Sequence, residues 1–324
     1  MTDRENFLRL IRFEPAERIV SGIPAWGIHY YGSNHEGFAG GGDGQPAGAS
    51  WKDIWGTGWH KDLGNVMGLP KEYPLADPED YDSYQWPDPD DPRICGQIYQ
   101  RAKNCPDKEL LIAGSHRDTL WERSYMLAGM ENMMEWFYTG PEKVKDILHH
   151  IMDFQLGIAK HYLQCGIELA DFGDDLGTQH SLLLSPAIIR EFLVPEYQRL
   201  ISLYKSRGVL INFHSCGHIE PLLDLFIELG VDILNPIQAT ANDLSIVREK
   251  TRGRMALMGG VSSALLMMAS PEEIQAETIR VMELLGRDGG YLCCADQYMP
   301  FPPENLEALY RTVEQYGKYP LDEK

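Results

Sequence analysis

An apolar strand runs into a polar turn in the stretch Val209-Leu210-Ile211-Asn212-Phe213-His214-Ser215-Cys216-Gly217. Side chains two residues apart on an extended backbone point to the same face, so the imidazole of His214 and the thiol of Cys216 can reach one atom. Zinc accepts thiolate and neutral imidazole together, and a catalytic zinc site keeps one position open. The stretch therefore indicates a zinc site at a strand end. A buried thiol beside a hydrogen-bonded histidine is the alternative.

Strand-like and helix-like segments alternate on both sides of this stretch. An apolar segment at 167–172 precedes it, and Ser185-Pro186 is typical of a helix start, with a helix predicted to reach Ser206. Further apolar strands are predicted at 231–236, 255–260 and 289–294. This alternation predicts a parallel sheet with right-handed helical crossovers.

Earlier strands at 19–26 and 110–113 extend the pattern to a closed eightfold α/β barrel, the TIM (β/α)8 fold. An open doubly wound sheet is the alternative. The chain has no Gly-x-Gly-x-x-Gly after its first strand and no phosphate-loop motif. Their absence disfavours the nucleotide-binding form of the open sheet.

Residues from about 30 to 105 interrupt the alternation. Residues 37–48 are rich in glycine, and four of the seven tryptophans lie in this segment, at positions 51, 55, 59 and 86. Long structured loops of compact domains are often lids or binding loops. We therefore expect an insertion after the first strand that covers the mouth of the barrel. A solvent-exposed decoration with its own aromatic core is the alternative.

Charge and hydropathy exclude some classes of partner. The 48 acidic and 29 basic residues give a formal net charge of −19, which argues against nucleic acid because phosphate binding needs clustered cations. No apolar run approaches the roughly 20 residues of a membrane span, and the start of the chain lacks the basic and apolar regions of a signal peptide. A cytoplasmic protein without a membrane partner is expected.

Polar residues follow several predicted strands, and reactive groups of α/β barrels lie at these carboxyl ends. Asp174 and Asp175 could act as catalytic acid or base, as metal ligands, or as caps of the following loop. The adjacent Cys293 and Cys294 face opposite ways, so at most one can share a site with Cys216. The remaining strand-end candidates are expected to bind substrate, with turn chemistry as the alternative: His116, Asn235, Gln238 and Gln297.

Several motifs resemble the uroporphyrinogen decarboxylase superfamily. They are Phe213-His-Ser-Cys-Gly-His-Ile-Glu-Pro, Gly230-Val-Asp-Ile-Leu-Asn-Pro-Ile-Gln, Gly259-Gly-Val, Gly289-Gly-Tyr and Pro302-Pro-Glu-Asn-Leu. The resemblance extends upstream through Gly173-Asp-Asp-Leu-Gly-Thr-Gln and Trp121-Glu-Arg to Trp55-Gly, and so covers most of the chain. It implies a single barrel domain over residues 1–324.

The superfamily has two chemistries. Its decarboxylases bind tetrapyrrole carboxylates with an Arg-Gln-Ala-Gly-Arg segment after the first strand, where this chain has Trp26-Gly-Ile-His-Tyr-Tyr-Gly. Both arginines are missing, so the resemblance favours the other branch, zinc-dependent methyltransferases that move a methyl group between a corrinoid and a thiol or another small acceptor. A metal-independent decarboxylase or lyase acting on a polycarboxylate, and a non-enzymatic protein that binds a corrinoid or tetrapyrrole, are the alternatives.

The resemblance also implies ligands and partners. His214 and Cys216 match the family's zinc-binding pair, and a third ligand is expected from the last strand. Gln297 lies about where that ligand would fall, so either Cys294 or Cys293 replaces it or the site is incomplete. A carboxylate, Asp174 or Asp175, is the candidate for a fourth ligand. The implied cofactors are Zn²⁺ and a methylcorrinoid (cobalamin) carried by a corrinoid-binding protein. A small-molecule methyl donor or acceptor completes the reaction, and relatives are often homodimers.

Overall fold

Seven parallel strands form the main sheet of the computed structural model, which describes residues 1–32, 45–63 and 68–321. In chain order, the strands of these residues are β1 (Ala25–Ile28), β2 (Ser50–Lys52), β3 (Gly58–His60), β4 (Leu69–Glu72), β5 (Leu111–His116), β6 (Leu169–Gly173), β7 (Leu210–His214), β8 (Ile233–Ile237), β9 (Ala256–Val261) and β10 (Tyr291–Ala295). The main sheet has the order β1-β5-β6-β7-β8-β9-β10. Every neighbouring pair in it is parallel, as the alternation of segments predicts.

Helices connect the successive parallel strands. Those of the described residues are α1 (Asp3–Ile11), α2 (Pro92–Lys103), α3 (Trp121–Ala128), α4 (Met130–Thr139), α5 (Pro141–Gln164), α6 (Pro186–Ile188), α7 (Val194–Lys205), α8 (Leu223–Leu229), α9 (Leu244–Thr251), α10 (Ser263–Met268), α11 (Pro271–Gly286) and α12 (Pro303–Tyr316). Over the same ranges, no helix combines the length and apolar character needed to cross a bilayer.

The predicted helix from Ser185 to Ser206 forms with one irregularity. The Ser185 hydroxyl accepts the N–H of Ile188 and caps α6, as the Ser-Pro start signal predicts. A π-helical turn at Ile189–Leu193 then joins α6 to α7. Pro195 has no N–H to donate to the carbonyl four residues earlier, which accounts for an interruption at this point.

The prediction of eight strands is met only in part, because the parallel sheet of the described residues has seven. Val20 forms an isolated parallel bridge with Leu292 of β10, and β1 begins later, at Ala25, beside β5. Pro24 lies between them and cannot donate to a strand ladder. The segment from Val20 to Ile28 thus pairs with β10 through Val20 and with β5 through β1, and the sheet is curled.

The segment between β1 and β5 contains a second, antiparallel sheet of β2, β3 and β4. Trp55 packs against Phe154 of α5 with ring centroids 4.7 Å apart, and Asp53 binds the Arg123 guanidinium of α3 at 2.9 Å. Trp55 of this segment therefore packs into the main hydrophobic core. Most of the glycine-rich stretch lies outside the described residues, and the role of the segment as a lid remains a prediction.

Candidate metal centre

Asp175, His214 and Cys216 each bring one potential metal-binding atom to within 4.8 Å of the others. The Cys216 Sγ lies 3.3 Å from His214 Nε2, which in turn lies 3.5 Å from Asp175 Oδ1. All three side chains are partly exposed at the carboxyl ends of β6 and β7. In the part of the chain that the structure describes, this is the one such group of His, Cys, Asp and Glu residues. The strand-end pair therefore converges, as the sequence predicts.

The side chain of Asp175 holds the turn after β7. The backbone N–H of Cys216 donates to Asp175 Oδ1 at 2.9 Å, which fixes the carboxylate beside the turn that carries the thiol. Gly217 has a φ of +86°, and a Cβ there would lie 2.5 Å from the carbonyl carbon of Gly177. Glycine is required at 217 because both the dihedral angle and the close approach exclude a side chain.

Gly217→Ala is expected to destabilise the protein by about 2 kcal/mol or more, from the left-handed backbone and the collision with residue 177. Gly253→Ala is the matched control, since Gly253 has a φ of +68° but open space around the Cβ position. The control isolates the backbone cost, about 1 kcal/mol. Urea unfolding of both variants measures the difference, and equal losses would contradict the role assigned to the Gly177–Gly217 contact.

Asn235 orients the imidazole. The Nδ1 of His214 lies 2.9 Å from Asn235 Oδ1, an oxygen that can only accept, so Nδ1 carries the proton and Nε2 faces Cys216 and Asp175. This outer hydrogen bond is the arrangement that fixes metal-binding histidines. Asn235 was expected to bind substrate, but both ends of its amide bond protein groups, His214 and Asn212. It is a positioning residue for the candidate centre.

The thiol of Cys216 lies in an environment that disfavours its anion. Burial, and then the charge of Asp175, raises the pKa of Cys216 to about 12. The Nε2 of Gln297 donates to Cys216 Sγ at 2.9 Å and opposes that shift. A cation bound by the group would offset the cost of the thiolate, since a coordinating thiol is deprotonated. Gln297, predicted to bind substrate, thus lies at the centre and contacts the sulfur.

Residues 69–316, more than half of the chain, match the family model described as Uroporphyrinogen decarboxylase (URO-D). The chain belongs to the uroporphyrinogen decarboxylase family. The resemblance of its motifs is therefore confirmed. Among solved structures, a methyltransferase from Methanosarcina mazei has the same fold, with a TM-score of 0.72 over 97% of this chain and 98% of that chain at 16% identity.

Curated relatives of this family member carry two kinds of name. A methylated-thiol–coenzyme M methyltransferase of Methanosarcina mazei is 28% identical over 197 residues, 58% of this chain and 49% of the relative. A uroporphyrinogen decarboxylase of Aromatoleum aromaticum is 27% identical over 188 residues, 56% of this chain and 50% of the relative. The match thus spans about half the length of either relative.

The carboxylate of Asp174 is surrounded by protein donors in this URO-D family member. Its fully buried carboxylate accepts the N–H groups of Leu120, Trp121 and Glu122 at 3.0, 2.8 and 2.7 Å, and the Tyr197 hydroxyl. Burial raises the pKa of Asp174 to about 7, and these donors oppose the shift by favouring the anion. Its oxygens cap the start of α3, the structural role that the sequence offered as an alternative, and a catalytic role for Asp174 stays a prediction.

The side chains of Gln238 and His116 also bind protein groups. The Gln238 side-chain oxygen accepts the N–H of Gly217 at 2.7 Å and an amide proton of Gln179 at 2.9 Å, so it supports the turn that carries Cys216. His116 is fully buried, with Nδ1 2.7 Å from Gln155 and Nε2 bonded to the Tyr204 hydroxyl. Both were expected to bind substrate, and both instead have protein partners.

The last-strand thiols lie outside the group. Cys293 is fully buried in the main hydrophobic core, and Cys294 is 9% exposed. Gln297 comes three residues after Cys294, about 10 Å of extended chain, and it is Gln297 that reaches Cys216. The structure therefore places Asp175, and neither cysteine, beside the His-x-Cys pair.

Glu122 is a further acid near the centre. It is only 7% exposed, in the first turn of α3, and its Oε1 accepts the Tyr125 hydroxyl at 3.3 Å. Burial and the charges of Asp118, Asp174 and Asp175 raise its pKa well above the usual range for glutamate. In the sequence Glu122 stands only within the Trp121-Glu-Arg motif and was not singled out, because a glutamate in the first turn of a helix ordinarily serves the helix dipole.

Proposed function

We propose that this member of the family is a zinc-dependent methyltransferase that moves a methyl group between a corrinoid and a thiol or another small acceptor. The observation that carries the proposal is the convergence of Asp175, His214 and Cys216 to within 4.8 Å. The methyltransferase name of a relative 28% identical to this chain supports the same class of reaction. We further propose that residues 1–324 form one (β/α)8-like domain, with residues 30–105 as an insertion over its mouth.

The donor set fits the metal. Imidazole nitrogen, thiolate sulfur and carboxylate oxygen are the ligand types that zinc takes, and three protein ligands leave the fourth position open to substrate. Zinc bound there would lower the pKa of a substrate thiol, so that its anion forms near neutral pH. The residues of the chain supply the rest, since Asn235 fixes the imidazole and Gln297 donates to the Cys216 sulfur.

The methyl transfer itself balances without a further reactant. A methylcorrinoid would supply the methyl group and retain the bonding electron pair, and the substrate thiol would release its proton to solvent as its sulfur takes the methyl group. We propose that a corrinoid-binding protein presents the methylcorrinoid over the carboxyl ends of the strands, where His214 and Cys216 lie. We also propose that the chain forms a homodimer, and only the family resemblance supports this part of the proposal.

The test combines metal analysis with an assay. The full chain, purified without chelator, is expected to hold about one zinc per chain, and to convert methylcob(III)alamin and coenzyme M to cob(I)alamin and methylated thiol, followed anaerobically by absorbance. Removal of zinc with dipicolinate should abolish the activity, and added zinc should restore it. Methyl transfer that persists after the chelator treatment would overturn the proposal. A protein that holds no zinc and methylates neither coenzyme M nor any of a panel of small thiols would also overturn it.

Decarboxylation is the second candidate, because two curated relatives are named uroporphyrinogen decarboxylase. It predicts carbon dioxide release from uroporphyrinogen with no effect of the chelator. The same protein preparation can be tested with both substrates, so a positive result in one assay and not the other decides between the two reactions.

A further inference from the structure

Four polar side chains form a hydrogen-bonded line across three neighbouring strands. His214 Nδ1 lies 2.9 Å from Asn235 Oδ1, Asn235 Nδ2 lies 2.7 Å from Asn212 Oδ1, and Asn212 Nδ2 lies 2.8 Å from Asp171 Oδ1. The strand register supports the line, since Asp171 pairs with Asn212 and His214 pairs with Asn235. One end is the candidate metal centre, and the other is a carboxylate that the reaction does not use.

The carboxylate gives the line its direction. An ionised carboxylate can only accept, so Asn212 must turn its NH₂ group toward Asp171. The amide oxygen of Asn212 then faces Asn235 and takes an N–H from it at 2.7 Å, while the Phe213 carbonyl makes a longer contact of 3.4 Å with the same nitrogen. This leaves the Asn235 oxygen toward His214, where it can only accept the Nδ1 proton. Each amide transmits the constraint because its NH₂ group can only donate a hydrogen bond and its oxygen can only accept one.

We propose that Asp171 is a positioning residue that fixes the tautomer of His214 from two side chains away. With Asp171 ionised, the proton stays on Nδ1 and the lone pair of Nε2 faces Cys216 and Asp175. The tautomer part of this proposal concerns the protein without metal. The expected gain in zinc affinity rests on the proposed function, because it needs Nε2 to bind a metal.

Burial favours a strict direction. Asn212 is 9% exposed, so water has little access to the middle of the line and cannot readily substitute for a reversed amide. Burial raises the pKa of Asp171 to about 6, while the hydrogen bond from Asn212 opposes the shift. The carboxylate is therefore the prevailing form at pH 8, where the experiment below is set.

Asp171→Asn removes the constraint while keeping the shape of the side chain. The new amide can accept from Asn212 or donate to it, so the line can run in either direction and the His214 proton can move to Nε2. Asn212→Ala breaks the line at its middle with Asp171 intact. Both variants should have the same effect on His214, and the double variant should add little to either, because the line acts as one unit.

Nitrogen-15 NMR of the metal-free protein at pH 8 reads the tautomer directly, with His214→Ala to assign the signals. The wild type should show the Nδ1–H form, and both variants a mixture with the Nε2–H form. Zinc affinity, measured by chelator competition, should fall about 10- to 100-fold, as for other outer-sphere partners of metal ligands. An unchanged Nδ1–H tautomer in the folded variants would overturn the inference, whether or not the protein proves to transfer methyl groups.

Discussion

Asp174→Ala is expected to lower the free energy of unfolding by about 3–5 kcal/mol, measured by urea unfolding. The substitution leaves three N–H groups at the start of α3 and the Tyr197 hydroxyl without their shared acceptor, and all of them lie in the buried interior. An unmade hydrogen bond of a buried donor costs about 1–3 kcal/mol, so several together exceed the effect of an ordinary substitution.

Asp175→Asn is the matched control for this prediction. The Asp175 side chain is 38% exposed and its neighbours are the candidate ligands, so its loss should change the unfolding free energy by about 1 kcal/mol or less while weakening zinc binding. A wild-type unfolding curve for Asp174→Ala would contradict the capping role. A destabilisation by Asp175→Asn as large as that by Asp174→Ala would show that the two carboxylates cannot be separated in this way.

The strand-helix alternation predicted the parallel sheet because it depends on periodicities that extend over many residues. Its first strand was harder to place, since Pro24 divides the segment into a bridge at Val20 and the short β1. A single proline decides that outcome through one missing N–H group. The sequence shows the proline, but it does not show which neighbouring strand each half of the segment will pair with.

The spacing of His214 and Cys216 favoured their convergence, although β7 ends at His214 and Cys216 lies in the turn that follows it. The choice of Asp175 as the third residue of the group was not predictable. Asp174 and Asp175 are adjacent in the sequence, but they face different parts of the structure. Asp174 faces the first turn of α3, while Asp175 accepts the N–H of Cys216. Which of two adjacent carboxylates faces a site depends on a helix about 50 residues earlier in the chain.

The strand-end rule overestimated the number of substrate-binding residues for a similar reason. Asn235 lies within β8 and Gln238 directly follows it, but their amides bind His214 and Gly217. A tight turn with a closely approached backbone needs side-chain acceptors for its N–H groups. Sequence alone does not distinguish an amide that faces ligand from one that holds the turn in place.

The choice between Asp175 and a last-strand thiol as third ligand can be decided with two serine variants. Cys216→Ser is expected to lower zinc affinity by at least about 10³-fold, beyond the 10- to 100-fold typical of an outer-sphere change, because it removes a soft thiolate ligand. Cys294→Ser is the matched control: Cys294 lies outside the group of three, so its variant should bind zinc as the wild type does.

The same two variants also distinguish a metal-ligand role of a cysteine in the reaction from a structural role. Cys216→Ser should slow methyl transfer from methylcob(III)alamin by about 10³-fold, which corresponds to the several kcal/mol that a metal supplies to its substrate. Its unfolding curve should stay close to that of the wild type, because the Cys216 side chain is only partly buried. Equal loss of zinc in both variants would restore Cys294 as a ligand. Full zinc binding and activity in Cys216→Ser would show that the Cys216 thiolate is not a ligand, and would contradict the proposed His-x-Cys pair.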